Sequence, residues 1–166
     1  AALAASLPQI WIKESWAQGN FRNNPGSSSV VKFGFNVPQT GPYADEGADE
    51  LRAYQLAVKH LNGEGDGGML NTMKPSMLKG NGVLGKKVEY ATGDTQTKSD
   101  AARASAKRLI EKDGVIMFTG GSSSGVAVAV QALAQEMGIV FMAGLTHSND
   151  TTCLLYTSPS PRDPTK

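Results

Sequence analysis

The chain has 166 residues, a formal net charge of +1 and 40% hydrophobic residues, which allows one domain with a core and gives no electrostatic footprint for nucleic acid or acidic lipid. A single cysteine, Cys153, excludes a disulfide-held scaffold. No stretch reaches the length of a membrane-spanning helix, and His60 and His147 lie too far apart to suggest a metal site, so direct membrane insertion, a metal and a cofactor are all unexpected.

Residues 1–12 are small and mostly apolar, and Ser15 and Ala17 give the small-x-small pattern of a signal peptidase site. Residues 1–17 are therefore expected to be the remnant of an export signal. Residues 18–29, which include GNFRNNPGSSS, are polar and turn-rich and read as a linker.

Val30 to Val37 alternates apolar residues at 31, 33, 35 and 37 and stops at Pro38, which predicts a strand. Leu51, Tyr54, Val58 and Leu61 recur at helical spacing, so a helix is expected from Asp45 to Leu61, closed by Asn62-Gly63. A glycine-rich excursion follows from Gly63 to Gly85. Pro75 breaks any helix there, and Met69, Met73 and Met77 are expected to pin a long loop to the domain.

Lys87 to Tyr90 predicts a second strand. Thr97 to Asp100 has the form of a capping box, with Asp in place of Glu. The helix it opens should run to about Lys112, with Ala102, Ala106, Leu109 and Ile110 inward. Val115 to Phe118 is an all-apolar run suited to a buried parallel strand. Val126, Val130, Leu133 and Met137 mark a third helix, ended by Gly138, and Ile139 to Met142 predicts a fourth strand. Strands alternating with helices predict an α/β fold, a doubly wound parallel sheet.

In such sheets ligands bind beyond the carboxyl ends of the strands. The loops there are Pro38–Ala44, Thr92–Thr97, Thr119–Ser124 and Gly144–Asp150, all rich in Gly, Ser and Thr. TGGSSS joins a strand to a helix start, where free N–H groups and serine hydroxyls suit a carboxylate or other small anion. Ser124 either meets such an anion or caps the helix. Asp94 and Asp150 either receive a ligand ammonium or brace their loops. His147 has no evident partner for base catalysis, and His60 sits where it can meet the helix carboxyl end. The dinucleotide, P-loop and nucleophile-elbow motifs are absent, so no enzyme activity is expected.

VKFGFNVPQTGPYADEGADELRAYQLAVKHLN resembles the opening of type I periplasmic binding proteins of the branched-chain amino acid, amide and urea transporter class. The segment from GKKVEYATGD to GIVFMAG continues the likeness, which covers about residues 31–152. The resemblance implies the N-terminal lobe of a two-lobed, non-catalytic solute-binding protein, incomplete here over 30–152. It further implies a periplasmic or extracytoplasmic location, a small-molecule ligand in an interlobe cleft and an ABC-type membrane permease as partner. It places Ser124, with Ser123 beside it, on a ligand carboxylate, Leu145, Thr146 and His147 on the loop after the fourth strand, and Tyr43 in the cleft lining. A ligand-sensing domain of a receptor or regulator shares the same fold and is the alternative. Residues 153–163, CLLYTSPSPRD, resemble the translation of a transposase-type sequencing adapter, so residues 153–166 are expected to be foreign to the domain.

Overall fold

The structure, a computed structural model, describes residues 22–64 and 82–153. The expected export signal, the three methionines of the excursion and nearly all of the C-terminal tail lie outside those residues. In chain order the elements are β1 (Val30–Val37), α1 (Ala44–Leu61), β2 (Lys87–Asp94), α2 (Ser99–Glu111), β3 (Met117–Gly120), α3 (Ser124–Met137), β4 (Val140–Ala143) and the short α4 (Asp150–Cys153). The strands form a parallel sheet in the order β2-β1-β3-β4. Register pairs Val30 with Lys87, Phe33 with Met117 and Met117 with Val140.

Strand alternation divides the core in two. Phe33 and Phe35 of β1 face α1, and Phe35 stacks between Tyr54 and Tyr90 with ring centroids 4.8 and 5.2 Å apart. On the opposite face, α2 and α3 cover Phe118, which is fully buried and packs on Phe141 at 4.9 Å. Removing water from a side chain of that size is worth about 1.5–3 kcal/mol, so this second cluster anchors the sheet. All four residues expected on the inner face of α2 have 0% exposure, as their 3.6-residue spacing requires.

Asn36 occupies an inward position of β1 that the alternation assigned to a polar residue. It is 2% exposed, and its amide donates to the carbonyl of Ala102 at 3.0 Å while its Oδ1 accepts from the Ser105 hydroxyl at 2.5 Å. A buried amide satisfied on both sides fixes α2 against β1.

Four boundaries differ from the sequence reading. β2 extends to Asp94, because Ala91 to Asp94 pair with Gly34 to Val37. β3 and β4 sit further along the chain than their apolar runs: Met117 opens β3 opposite Phe33 of β1, and Val140 opens β4 opposite Met117 of β3. Val115 is buried, yet its N–H goes to the carbonyl of Leu109 outside the sheet. The capping box does not form. Thr97 adopts a left-handed φ of 58°, its hydroxyl is buried without a partner among the described residues, and Lys98 is the N-cap with no side-chain bond. Thr95 turns the chain there instead, its hydroxyl accepting from the Thr97 N–H and its carbonyl from the Lys98 N–H.

Residues 22–29, part of the stretch read as a linker, are held against the sheet's other end. Asn23 donates to the carbonyls of Ile110 and Val115 at 2.8 and 2.9 Å, and Lys86 Nζ donates to the carbonyls of Gly26 and Ser28.

Candidate functional site

The order β2-β1-β3-β4 contains one reversal of direction. From β1 the chain crosses to β2 on one side, then returns past β1 to β3 on the other. The loops leaving β1 and β3 diverge at that point, which opens a crevice at the carboxyl ends of the strands. The four glycine-, serine- and threonine-rich loops all lie at this end.

The TGGSSS turn links β3 to α3. Ser123 is the N-cap in extended conformation, φ −91° and ψ 124°, and Ser124 is the first helical residue. The reading of Ser124 as a capping side chain fails, because no side-chain cap bond forms here. Its hydroxyl instead accepts the His147 main-chain N–H at 3.1 Å. With one lone pair committed there, the Ser124 hydroxyl keeps a proton to donate. The first α3 bond after the cap runs from the Ala127 N–H to the Ser123 carbonyl. Among the described residues, the N–H groups of residues 124–126 are the free donors of this helix start.

Thr146 and His147 follow β4. The Thr151 hydroxyl donates to the Ser148 carbonyl at 2.7 Å, so the 3.2 Å contact between Thr146 and Thr151 is a donation from Thr146. His147 takes part through its backbone and its side chain is exposed. Leu145 is exposed beside it. Asp150 braces α4 through Ser148, whose hydroxyl accepts the Asp150 N–H. Tyr43 is the N-cap of α1 and is 40% exposed at the crevice end. The structure thus joins Ser124 to His147 directly, while Tyr43 and Ser123 share only their end of the sheet with that pair.

Asp94 braces a different loop. Its carboxylate accepts the N–H groups of Gln39, Thr40 and Gln96 and the Thr40 hydroxyl, the last at 2.7 Å. Partial burial pushes its pKa up, but these four donors outweigh that and hold it below the ordinary carboxylate value.

One group escaped the sequence reading. Glu50 of α1 is 6% exposed and accepts from Tyr54 Oη at 2.6 Å and from Ser122 Oγ at 2.9 Å. Tyr54 also meets Thr119 Oγ1 at 3.1 Å. Burial, followed by the bond to Glu50, pushes the Tyr54 phenol well above its usual value. The available signal was positional. Glu50 stands three residues after Gly47 and four before Tyr54, on the stripe that α1 buries.

Residues 30–165 match the family model described as periplasmic binding protein. The chain belongs to the periplasmic binding protein family. Within that family, the Leu/Ile/Val-binding protein homolog 7 of Brucella abortus (strain 2308) is 29% identical over 115 residues, 69% of this chain and 25% of that protein. The Leu/Ile/Val-binding protein BraC3 of Rhizobium johnstonii is 25% identical over 77% of this chain and 30% of its own length. The chain therefore spans between a quarter and a third of these relatives. Among solved structures, a putative branched-chain amino acid ABC transporter protein from Silicibacter pomeroyi aligns with a TM-score of 0.57 and 27% identity, over 71% of this chain and 26% of that one. The substrate-binding protein LivJ from Streptococcus pneumoniae, at TM-score 0.61 and 24% identity, covers 74% of this chain and 31% of its own and shares the fold. The family's relatives are named as binding proteins, and no helix among the described residues is long and apolar enough to cross a membrane.

Proposed function

We propose that this chain supplies part of one lobe of an extracytoplasmic solute-binding protein serving an ABC-type importer. The crevice at the carboxyl ends of β1 and β3 would form one wall of an interlobe cleft for a small polar or zwitterionic solute, such as an amino acid, an amide or urea. Tyr43 would line the cleft, Ser123 and Ser124 would meet a carboxylate or carbonyl oxygen, and Leu145 to His147 would supply the facing backbone. An export segment at residues 1–17 would carry the protein out of the cytoplasm.

The observation that carries this reading is the state of Ser124. One lone pair of its oxygen accepts the His147 N–H, which fixes the hydroxyl at the helix start and leaves its proton free to donate. It stands at a helix start whose N–H groups, unpaired among the described residues, favour negative charge. Such an array suits recognition of an acceptor. The names of the Leu/Ile/Val-binding relatives support an amino-acid ligand.

Isothermal titration of the two-lobed protein with L-leucine, L-isoleucine, L-valine, acetamide and urea tests the reading. Saturable binding of at least one, weakened about tenfold by Ser124→Ala, is expected for loss of one hydrogen bond to a charged group. Failure of every compound to bind would discard the proposed ligand class.

A further inference from the structure

Thr119, Ser122 and Gly144 belong to two different crevice loops or their strand ends, and all three converge on α1. The directions of the bonds follow from proton counting. A phenol has one proton, and at 2.6 Å that proton belongs to Glu50, an acceptor. Tyr54 therefore accepts from Thr119. Ser122 in turn gives its single proton to Glu50 at 2.9 Å. The Tyr54 and Ser122 hydroxyls are thus both aimed at one buried carboxylate, and Thr119 backs Tyr54. Gly144 passes directly over it. A Cβ at that position would stand 2.6 Å from Tyr54 Oη and 3.1 Å from Glu50 Oε1.

We infer that Glu50 is a positioning residue for the crevice: it orients the serine turn by taking the Ser122 proton, so that Ser123, Ser124 and the α3 N–H groups are the donors left facing a ligand. This rests on the proposed binding role of the turn. It also divides three adjacent serines that look equivalent in sequence. Ser122 acts inward, on the fold of the turn, and Ser123 and Ser124 act outward. A buried carboxylate directly beside an anion-seeking turn would otherwise oppose the ligand. Two donated hydroxyls screen it from the crevice and give it a structural use.

The test is residue-resolved amide exchange on the full chain carrying Glu50→Gln, Ser122→Ala and both together. Glu50→Gln keeps the shape, removes the charge and replaces one of the two acceptor oxygens by an N–H donor, so Tyr54 and Ser122 can no longer both donate to a carboxylate oxygen. Each single variant is expected to speed exchange about tenfold at residues 120–124, the effect of one lost hydrogen bond to a charged group. Amides of Leu109 and Val130 in the opposite core should be unchanged. The double variant should exchange no faster than the faster single one, because both changes break the same bond. Additive effects, or equal acceleration at Leu109 and Val130, would overturn the assignment. If Glu50→Gln does not fold, Ser122→Ala and Tyr54→Phe remove the two donors singly and must still loosen 120–124 selectively. A second readout separates the roles. In titration with L-isoleucine, Ser124→Ala should weaken affinity with exchange at residues 120–122 unchanged, whereas Glu50→Gln should change both. If wild type binds neither L-isoleucine nor any of the other four solutes, the ligand reading fails, while the exchange result still decides the role of Glu50.

Discussion

The His147 main-chain N–H donates to the Ser124 hydroxyl at 3.1 Å, which ties the loop after β4 to the first residue of α3 across 23 positions of sequence. The bond spans the exits of adjacent strands β3 and β4, so it sets the spacing of two crevice walls. Ser124→Ala removes the acceptor and leaves an N–H that water can reach, since His147 is exposed. Stability should fall by about 0.5–1 kcal/mol, the net worth of an accessible neutral hydrogen bond. Chemical denaturation reads the stability, and exchange at the His147 amide should rise several-fold while the α2 amides stay protected.

The parallel sheet was legible because its signals are local. Leu51, Tyr54 and Val58 mark the buried stripe of α1, and Gly138 ends α3 with a left-handed φ of 63°. Strand ends were less legible, since the register that sets Met117 opposite Phe33 is a long-range pairing that the apolar run VIMF does not reveal. Glu50 was illegible for a related reason. A carboxylate on a helix reads as solvent-facing until its donors are known, and Ser122 lies 72 residues away. Thr97 shows the opposite error, a local motif overridden because Thr95 already supplies the turn.

Asp94 should make the crevice sensitive to acid. Its pKa is held down in the folded state, so its contribution is present above the ordinary carboxylate value of about 3.9 and is lost as pH falls through the lower folded value. Asp94→Asn should cost about 1 kcal/mol at neutral pH, less than a fully buried charged acceptor because solvent reaches the group. The difference between variant and wild type should shrink below pH 4 in urea titrations. A constant difference from pH 7 to pH 2 would contradict this account.

Tyr54 should behave in the opposite sense at the alkaline end. Its phenol is held protonated by burial and by the bond to Glu50, so the associated stability is complete below the ordinary value of about 10 and is lost as pH rises above it. Ultraviolet titration should show Tyr54 ionising above that ordinary value, and Glu50→Gln should lower its midpoint. Tyr54→Phe keeps the stack on Phe35 but removes one donor from a buried carboxylate. It should cost about 1–3 kcal/mol by thermal or chemical denaturation.

Gly47 sets how closely α1 can approach the turn that leaves β1. A Cβ there would overlap the carbonyl of Pro38. The helix interior would ordinarily prefer Ala to Gly by up to about 1 kcal/mol. Steric overlap with backbone must override that preference, so Gly47→Ala is expected to destabilise by roughly 1–3 kcal/mol. An increase in melting temperature for Gly47→Ala would show that α1 can shift away from Pro38 without loss.

The α1 face of the sheet is covered unevenly. α1 packs over β1 and β2, while Val140 and Met142 of the edge strand β4 remain 45% and 58% exposed on the same face. Two apolar side chains on an edge strand invite pairing with another molecule. The isolated chain should therefore associate with rising concentration. Met142→Lys places a charge on that face without touching the opposite core, where Phe141 packs on Phe118. Sedimentation velocity should show the wild-type chain shifting to larger species between micromolar and higher concentrations and Met142→Lys staying monomeric. Identical behaviour of the two would move the association to another surface.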